Sequence, residues 1–280
     1  MDAEIVGIAD GVRLDDLCRH CIPVVESVGR FIASQVGMVA ADVIEEKSAN
    51  SLVSYVDKEA EKQLVSALSL LLPKAGFLTE EATTVQRVGG EDWTWIIDPL
   101  DGTTNFLFGL PNFAISVALA RREEVVLGIV YEVNRAEMFY AWKGGGAYCN
   151  GRSIHVRQST VLEDTLVATG FPYSDFKKLH AQFGAVEQFQ RSTRGVRRWG
   201  AAAIDLCFVA CGRFDIFFEN SLNPWDVAAG ILLVQEAGGV VTDFQGNPAD
   251  LSGREVVASY GSIHKLAVGV VRSWFYPESV

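Results

Sequence analysis

Asp98 and Asp101, in the run Asp98-Pro99-Leu100-Asp101-Gly102-Thr103-Thr104-Asn105-Phe106, are the residues of this sequence best placed to do chemistry. Asp98 closes the apolar stretch Trp95-Ile96-Ile97, Pro99 interrupts regular strand pairing, and Gly102 permits a backbone that other residues resist. Carboxylates gathered at the end of a buried strand repel one another unless a positive charge stands between them. Their hard oxygen atoms suit Mg²⁺, Mn²⁺ or Ca²⁺. Spacing removes two other readings. An EF-hand loop counted from Asp98 would place Leu100, Gly102 and Gly109 at its ligand positions 3, 5 and 12, where carboxylates are needed. A phosphatase that forms an aspartyl phosphate on an Asp-x-Asp motif would need a closer pair of aspartates than this one.

Three further acidic spots could join that pair. Glu80-Glu81 follows the apolar run Gly76-Phe77-Leu78; taken alone it reads equally as a surface pair. Asp57 falls in the first turn of a predicted helix, where it is either a simple dipole-favoured acid or a site residue. Asp226, beside Trp225, opens the apolar helix Val227–Gln235. Glu80, Asp98, Asp101 and Asp226 together carry a formal −4, and a phosphomonoester would add about −2. Unit charges 4 Å apart repel by about 4 kcal/mol per pair even at an effective dielectric of 20, so two to three divalent ions are needed to hold such an assembly closed. The four histidines, His20, His155, His180 and His264, belong to no motif and are expected to be structural or exposed.

The elements that must position these residues follow from periodicity. Leu14, Leu17, Cys21, Val24, Val25, Val28, Phe31 and Ile32 make a helical stripe over about 13–36. A polar linker (45–51) precedes a second stripe, Val56, Ala60, Leu64, Ala67, Leu68 and Leu71, stopped near Pro73. On this helix Glu61 is expected on the solvated face, paired with Lys58. Trp93, Trp95 and Ile97 alternate as a strand, and 113–120, 125–132 and 136–142 read as a meander with turns at Gly144-Gly145-Gly146 and Asn150-Gly151. Beyond 150 strands and helices interleave: strand 165–169, helices 175–190 and 200–211, strand 214–219, helix 226–237, strands 239–243 and 255–260, and helix 261–274. Such a pattern implies mixed α/β (α+β) layers. The break near 145–160 suggests an N-terminal half, 1–150, carrying most of the acids and a C-terminal half, 151–280, completing one catalytic unit.

The 280 residues include 24 Lys or Arg against 35 Asp or Glu, a net charge of −11 that argues against nucleic-acid phosphate as a partner. With 49% apolar and 21% charged residues the chain is globular in composition, and it has no run long enough to span a membrane. Its start is unlike a signal peptide, and five cysteines with no need for disulfides predict reduced thiols in the cytoplasm. The close pairs Cys18/Cys21 and Cys207/Cys211 sit in apolar helical patterns and read as core rather than as zinc ligands.

The Glu80-Glu81 pair, DPLDGTTNF (98–106), GGGAYCNG (144–151) and WDVAAG (225–230), in this order along the chain, resemble the inositol monophosphatase family. The resemblance runs from about Lys47 to Gly239. It implies a layered αβαβα sandwich of the sugar-phosphatase type and a Mg²⁺-dependent, lithium-sensitive, usually homodimeric phosphomonoesterase, with Mn²⁺ as a substitute ion. Glu80, Asp98 and the Leu100 carbonyl would hold one ion, and Asp98, Asp101 and Asp226 a second. Gly102 and Thr103 would offer N–H groups to phosphate; Glu80 and Thr103, backed by Asp57, would activate water. Gly200, Ala201 and Ala202 would line the alcohol side, Glu219 would bind substrate hydroxyls, and Lys47 matches a basic residue near the metals. Four positions depart from the family pattern: Ser51, Thr79, Ala201 and Asn223, the last two bearing on substrate. Inositol monophosphate is the first expected substrate. Fructose 1,6-bisphosphate, histidinol phosphate or a 3′-phosphonucleotide are alternatives, and a non-catalytic metal and sugar-phosphate sensor is a further one.

Overall fold

Alternation within one strand explains how the layers stack. The structure, a computed structural model, describes residues 8–9, 11–39, 45–48, 51–85, 92–173 and 175–277, with backbone alone for 8–9, 45–48 and 51–52. The chain runs β1 (Ile8–Ala9), β2 (Val12–Arg13), α1 (Leu14–Gln35), β3 (Glu45–Ser48), β4 (Ser51–Val53), α2 (Tyr55–Leu71), β5 (Gly76–Thr79), β6 (Trp93–Asp101) and α3 (Thr103–Leu107). In β6, Trp93, Trp95 and Ile97 face one side and join the core under α1 and α2, while Ile96 faces the other. The meander β7 (Ala114–Arg121), β8 (Glu124–Glu132), β9 (Glu137–Trp142), β10 (Gly146–Cys149) and β11 (Arg152–Ile154) extends the sheet to seven strands in the order β11-β10-β9-β8-β7-β6-β5. Only β5 and β6 pair in parallel within it.

The second sheet has the order β13-β12-β14-β16-β15, from β12 (Val167–Thr169), β13 (Val196–Arg197), β14 (Ile216–Asn220), β15 (Val240–Thr242) and β16 (Glu255–Ser259). Between the sheets lie α5 (Ala202–Ala210) and α6 (Pro224–Glu236). A helix covered on both sides must be apolar all round; every residue of α5 and all from Val227 to Val234 in α6 are buried. Close approach selects small residues: a Cβ on Gly128 of β8 would come within 2.8 Å of the Ala229 carbonyl oxygen. The outer layer over the second sheet is α4 (Leu179–Ser192) and α7 (Gly261–Phe275), whose apolar faces meet Val167, Ile216, Phe218 and Val257. The sequence of layers is therefore αβαβα, the expected sugar-phosphatase sandwich.

Local expectations differ from the structure at four places. The polar stretch 45–51 is not a bare linker but contributes to the antiparallel hairpin β3–β4. Strand pairing across Pro99 lapses after Asp98 and resumes at Asp101 opposite Ala114, so Pro99 makes a bulge rather than an end. The helix expected from 175 begins at Leu179. Glu61 is not on a solvated face: it is fully buried and pairs with main-chain donors described below. Cys18, Cys21 and Cys207 are buried free thiols, and burial pushes Cys18 up to about 12. His20, His155 and His180 are exposed; His264 is buried between the Ser259 and Thr242 hydroxyls and pushed down by that burial to about 4.

Candidate active site

The β6 bulge creates the centre of the site. Asp98 accepts the Leu100 N–H on Oδ1 at 2.8 Å, and Asp101 accepts the Ala203 N–H at the start of α5 on Oδ2 at 2.7 Å. In each case main chain anchors one carboxylate oxygen and leaves the other for the cavity. Gly102 then takes φ +89°, and a Cβ there would meet the Asn112 carbonyl oxygen at 3.0 Å, so the turn into α3 requires glycine. Asp226 is the third residue of α6 and completes a capping box by accepting the Asn223 N–H at 2.7 Å. Asp57 does the same for α2, accepting the Ser54 N–H and hydroxyl on Oδ2 at 2.9 and 2.7 Å. Its Oδ1 lies 3.0 Å from Thr103 Oγ1, whose hydroxyl is also 3.0 Å from the Leu100 carbonyl. Asp57 is thus both a helix cap and a partner of Thr103.

A cavity of about 150 Å³ is lined by Glu80, Asp98, Leu100, Asp101, Gly102, Thr103, Gly200, Ala201, Ala202, Glu219 and Asp226. All the predicted site residues except Asp57 line it, and Asp57 stands behind Thr103. Lys47 lies in β3, and its side chain falls outside the described residues. Burial, reinforced by the charges of Glu80, Asp101 and Asp226, holds Asp98 well above the usual carboxylate range against the opposing Leu100 N–H. Asp101 is raised well above it as well, by burial and then chiefly by Asp226. Burial and Asp226 push Glu219 up to about 8, with Arg198 opposing, so near neutrality Glu219 keeps its proton and can donate as well as accept a hydrogen bond.

Several contributors were not read as site residues from the sequence. The buried carboxylate of Glu61 accepts the Glu81 N–H at 2.8 Å and the Thr83 N–H and hydroxyl at 2.7 and 2.6 Å, fastening the turn that presents Glu80 onto α2. Asn105 donates to the Asn112 and Trp199 carbonyls, both at 2.8 Å, tying the Trp199-Gly200 segment to α3. Gly170 lies directly against Glu219, where any side chain would overlap the carboxylate. Phe171, Tyr173 and Arg198 complete the cavity wall. A helical spacing places Glu61 one turn after Asp57, and Asn105 belongs to the run 98–106; the others depend on long-range packing.

The donor chemistry fits a divalent cation. Asp98, Asp101, Asp226, Glu80 and the Leu100 carbonyl are hard oxygens facing one cavity, and two of the acids are strongly disfavoured as anions without a counterion. Among the described residues no three acidic, His or Cys side chains stand in a ready coordination shell; what these acids share is a cavity and an electrostatic need. None of the described helices is long and apolar enough to cross a membrane.

The five-layer fold and an acid-lined cavity at the bulged strand define a phosphatase of the sugar-phosphatase type. The chain belongs to the inositol monophosphatase family, whose profile matches residues 14–274, and members of that family are in general metal-dependent. It is 39% identical over 247 residues to the inositol-1-monophosphatase of Mesorhizobium japonicum, covering 87% of this chain and 91% of the relative. It is 38% identical over 255 residues to the Nus factor SuhB of Pseudomonas aeruginosa, covering 90% and 94%. The solved Thermotoga maritima IMPase superposes with a TM-score of 0.84 at 36% identity, over 92% of this chain and 98% of that one.

Proposed function

We propose that this phosphatase is a Mg²⁺-dependent phosphomonoesterase that hydrolyses inositol monophosphate, or a related small polyol or sugar phosphate, by direct attack of water. The observation that carries this reading is the convergence of Glu80, Asp98, Asp101 and Asp226, from separate stretches, on one cavity that also holds Thr103. Glu80, Asp98 and the Leu100 carbonyl would hold one ion, and Asp98, Asp101 and Asp226 another. Bound there, divalent ions acidify water and neutralise charge on the phosphate and on the leaving oxygen.

The protein groups supply position and proton transfer. Thr103 can give its hydroxyl hydrogen to Asp57 while its oxygen accepts a proton from the attacking water; Glu80 orients that water's second hydrogen. Gly102 and Thr103 offer main-chain N–H groups to the phosphate. Gly200, Ala201 and Ala202 form the alcohol side, where Glu219 meets substrate hydroxyls. Lithium inhibition and a homodimer accompany this reading, and Mn²⁺ is expected to substitute for Mg²⁺.

Purified protein given Mg²⁺ and inositol 1-phosphate is expected to release phosphate, with the activity removed by chelator; absence of turnover across a panel of small phosphomonoesters would overturn the reading. A second reading comes from relatives named Nus factor SuhB: the fold would serve in that role in place of turnover. The same assay separates the two.

A further inference from the structure

The outer helix α4 packs on the second sheet, yet one residue of its buried face is polar. Gln182 has no exposed surface, whereas the other buried residues of α4, Gly184, Ala185 and Phe189, are apolar. A buried amide needs hydrogen-bond partners, and Gln182 uses both its donors and its acceptor. Its Nε2 donates to the Thr169 hydroxyl at 2.8 Å and to the Gly170 carbonyl at 2.9 Å, and its Oε1 accepts from Asn220 Nδ2 at 3.1 Å. One side chain therefore ties together the ends of β12 and β14, which pair in parallel.

Glu219 stands between the two grips. Gly170, whose carbonyl Gln182 holds, lies against the Glu219 carboxyl so closely that any Cβ would overlap it, and Asn220 is the next residue along the chain. Ser221 follows in the left-handed region at φ +65° and donates its hydroxyl to Asn220 Oδ1 at 2.8 Å, so the turn after β14 hangs on the same amide. Gly170, Glu219, Asn220 and Ser221 line the cavity, and Gln182 lies behind them. The acids on the other side of the cavity have separate anchors. Asp98, Asp101 and Asp226 accept the N–H groups of Leu100, Ala203 and Asn223, at 2.8, 2.7 and 2.7 Å.

We infer that Gln182 is a positioning residue: from the outer layer it holds both flanks of Glu219 and so fixes the carboxyl that meets the substrate's hydroxyls. This inference rests on the phosphomonoesterase reading above and deepens it. It separates the residue that sets the fit of the alcohol from the ties that set the ions.

The test is steady-state kinetics with Mg²⁺ and inositol 1-phosphate, or whichever small polyol phosphate the wild-type protein turns over best. Gln182→Met keeps the length of the side chain and removes its donors and acceptor. It should raise KM about tenfold, with kcat and the Mg²⁺ concentration for half-maximal activity within about twofold of wild type. In a Glu219→Ala background the same substitution should move KM by less than about twofold, because the group it acts through is gone. Gln182→Glu, which keeps the acceptor and, as a buried acid, one donor, should bring KM back to within about threefold of wild type. Phe275→Leu, a core change elsewhere in the outer layer, should lower the melting temperature and leave KM unmoved. If Gln182→Met does not fold, Gln182→Asn, too short to reach both strands, takes its place under the same criteria. A rise in KM below about threefold, or an equal rise with Glu219 absent, overturns the inference. If the wild-type protein turns over no small phosphomonoester, the phosphomonoesterase reading fails and this inference falls with it, a result distinct from turnover with an unmoved KM.

Discussion

Asp57 and Glu219 show how one side chain can serve structure and chemistry together. Asp57 uses Oδ2 for the cap of α2 and Oδ1 for Thr103. Ser54→Ala should cost about 0.5–2 kcal/mol through the cap, with little change in kcat. Asp57→Ala should cost a similar amount of stability but lower kcat by about 10²–10⁴, because Thr103 then keeps only the Leu100 carbonyl as a hydrogen-bond partner and loses the carboxylate that can take its proton. Urea melts and steady-state kinetics on both variants check this, and equal kcat losses would refute it. Glu219 gives a pH prediction for ion-free protein. Its folded value is raised from an ordinary 4.5 to about 8, so the native state holds a proton that the unfolded chain has lost. Stability attributable to it is therefore full below pH 4.5 and declines as pH rises towards 8. In chelator, Glu219→Gln should flatten the fall in melting temperature across that window.

At the scale of elements, the site depends on segments tied to helices that do not themselves touch substrate. Glu61 is buried and holds the Glu80 turn to α2 by three hydrogen bonds. Glu61→Ala leaves three half-buried donors without their acceptor and should cost about 1–3 kcal/mol. It should also raise the Mg²⁺ concentration for half-maximal activity, since Glu80 loses its fixed position, while Glu61→Gln recovers much of the stability. A variant that is destabilised but unchanged in Mg²⁺ dependence would mark Glu61 as structural alone. These ties also show what periodicity could not reveal. Alternation in Trp93–Ile97 and the stripe of α2 were legible because each residue's face follows from its own strand or helix. The burial of Glu61 was not, because an acid on a helix is read as solvated unless its long-range partners are known. The continuation of β6 past Pro99 was hidden for a related reason: the bulge is defined by its pairing with β7, not by the proline.

For the molecule as a whole, two sheets and a buried, mainly apolar middle layer bring distant acids to one place. Glu80 follows β5, Asp98 and Asp101 sit on β6, and Asp226 opens α6. The motif residues were legible because their types and order are distinctive; Phe171, Tyr173 and Arg198 were not, because loop residues acquire a role only once the second sheet is laid against the first. The gathered acids also set a condition on the fold. Asp98 and Asp101 are held above the usual carboxylate range, so the ion-free fold favours protons there more than the unfolded chain does and a bound cation competes with them. Divalent ions should therefore raise the melting temperature in a concentration-dependent way, and Asp98→Asn should remove most of that gain.

Calorimetric titration of chelator-treated protein with Mg²⁺, repeated in buffers of different ionisation enthalpy, tests the central claim most directly. Binding accompanied by proton release, lost together with phosphomonoesterase activity in Asp98→Asn, is the expected result. Absence of ion binding in the wild-type protein, or full turnover in excess chelator, would contradict it.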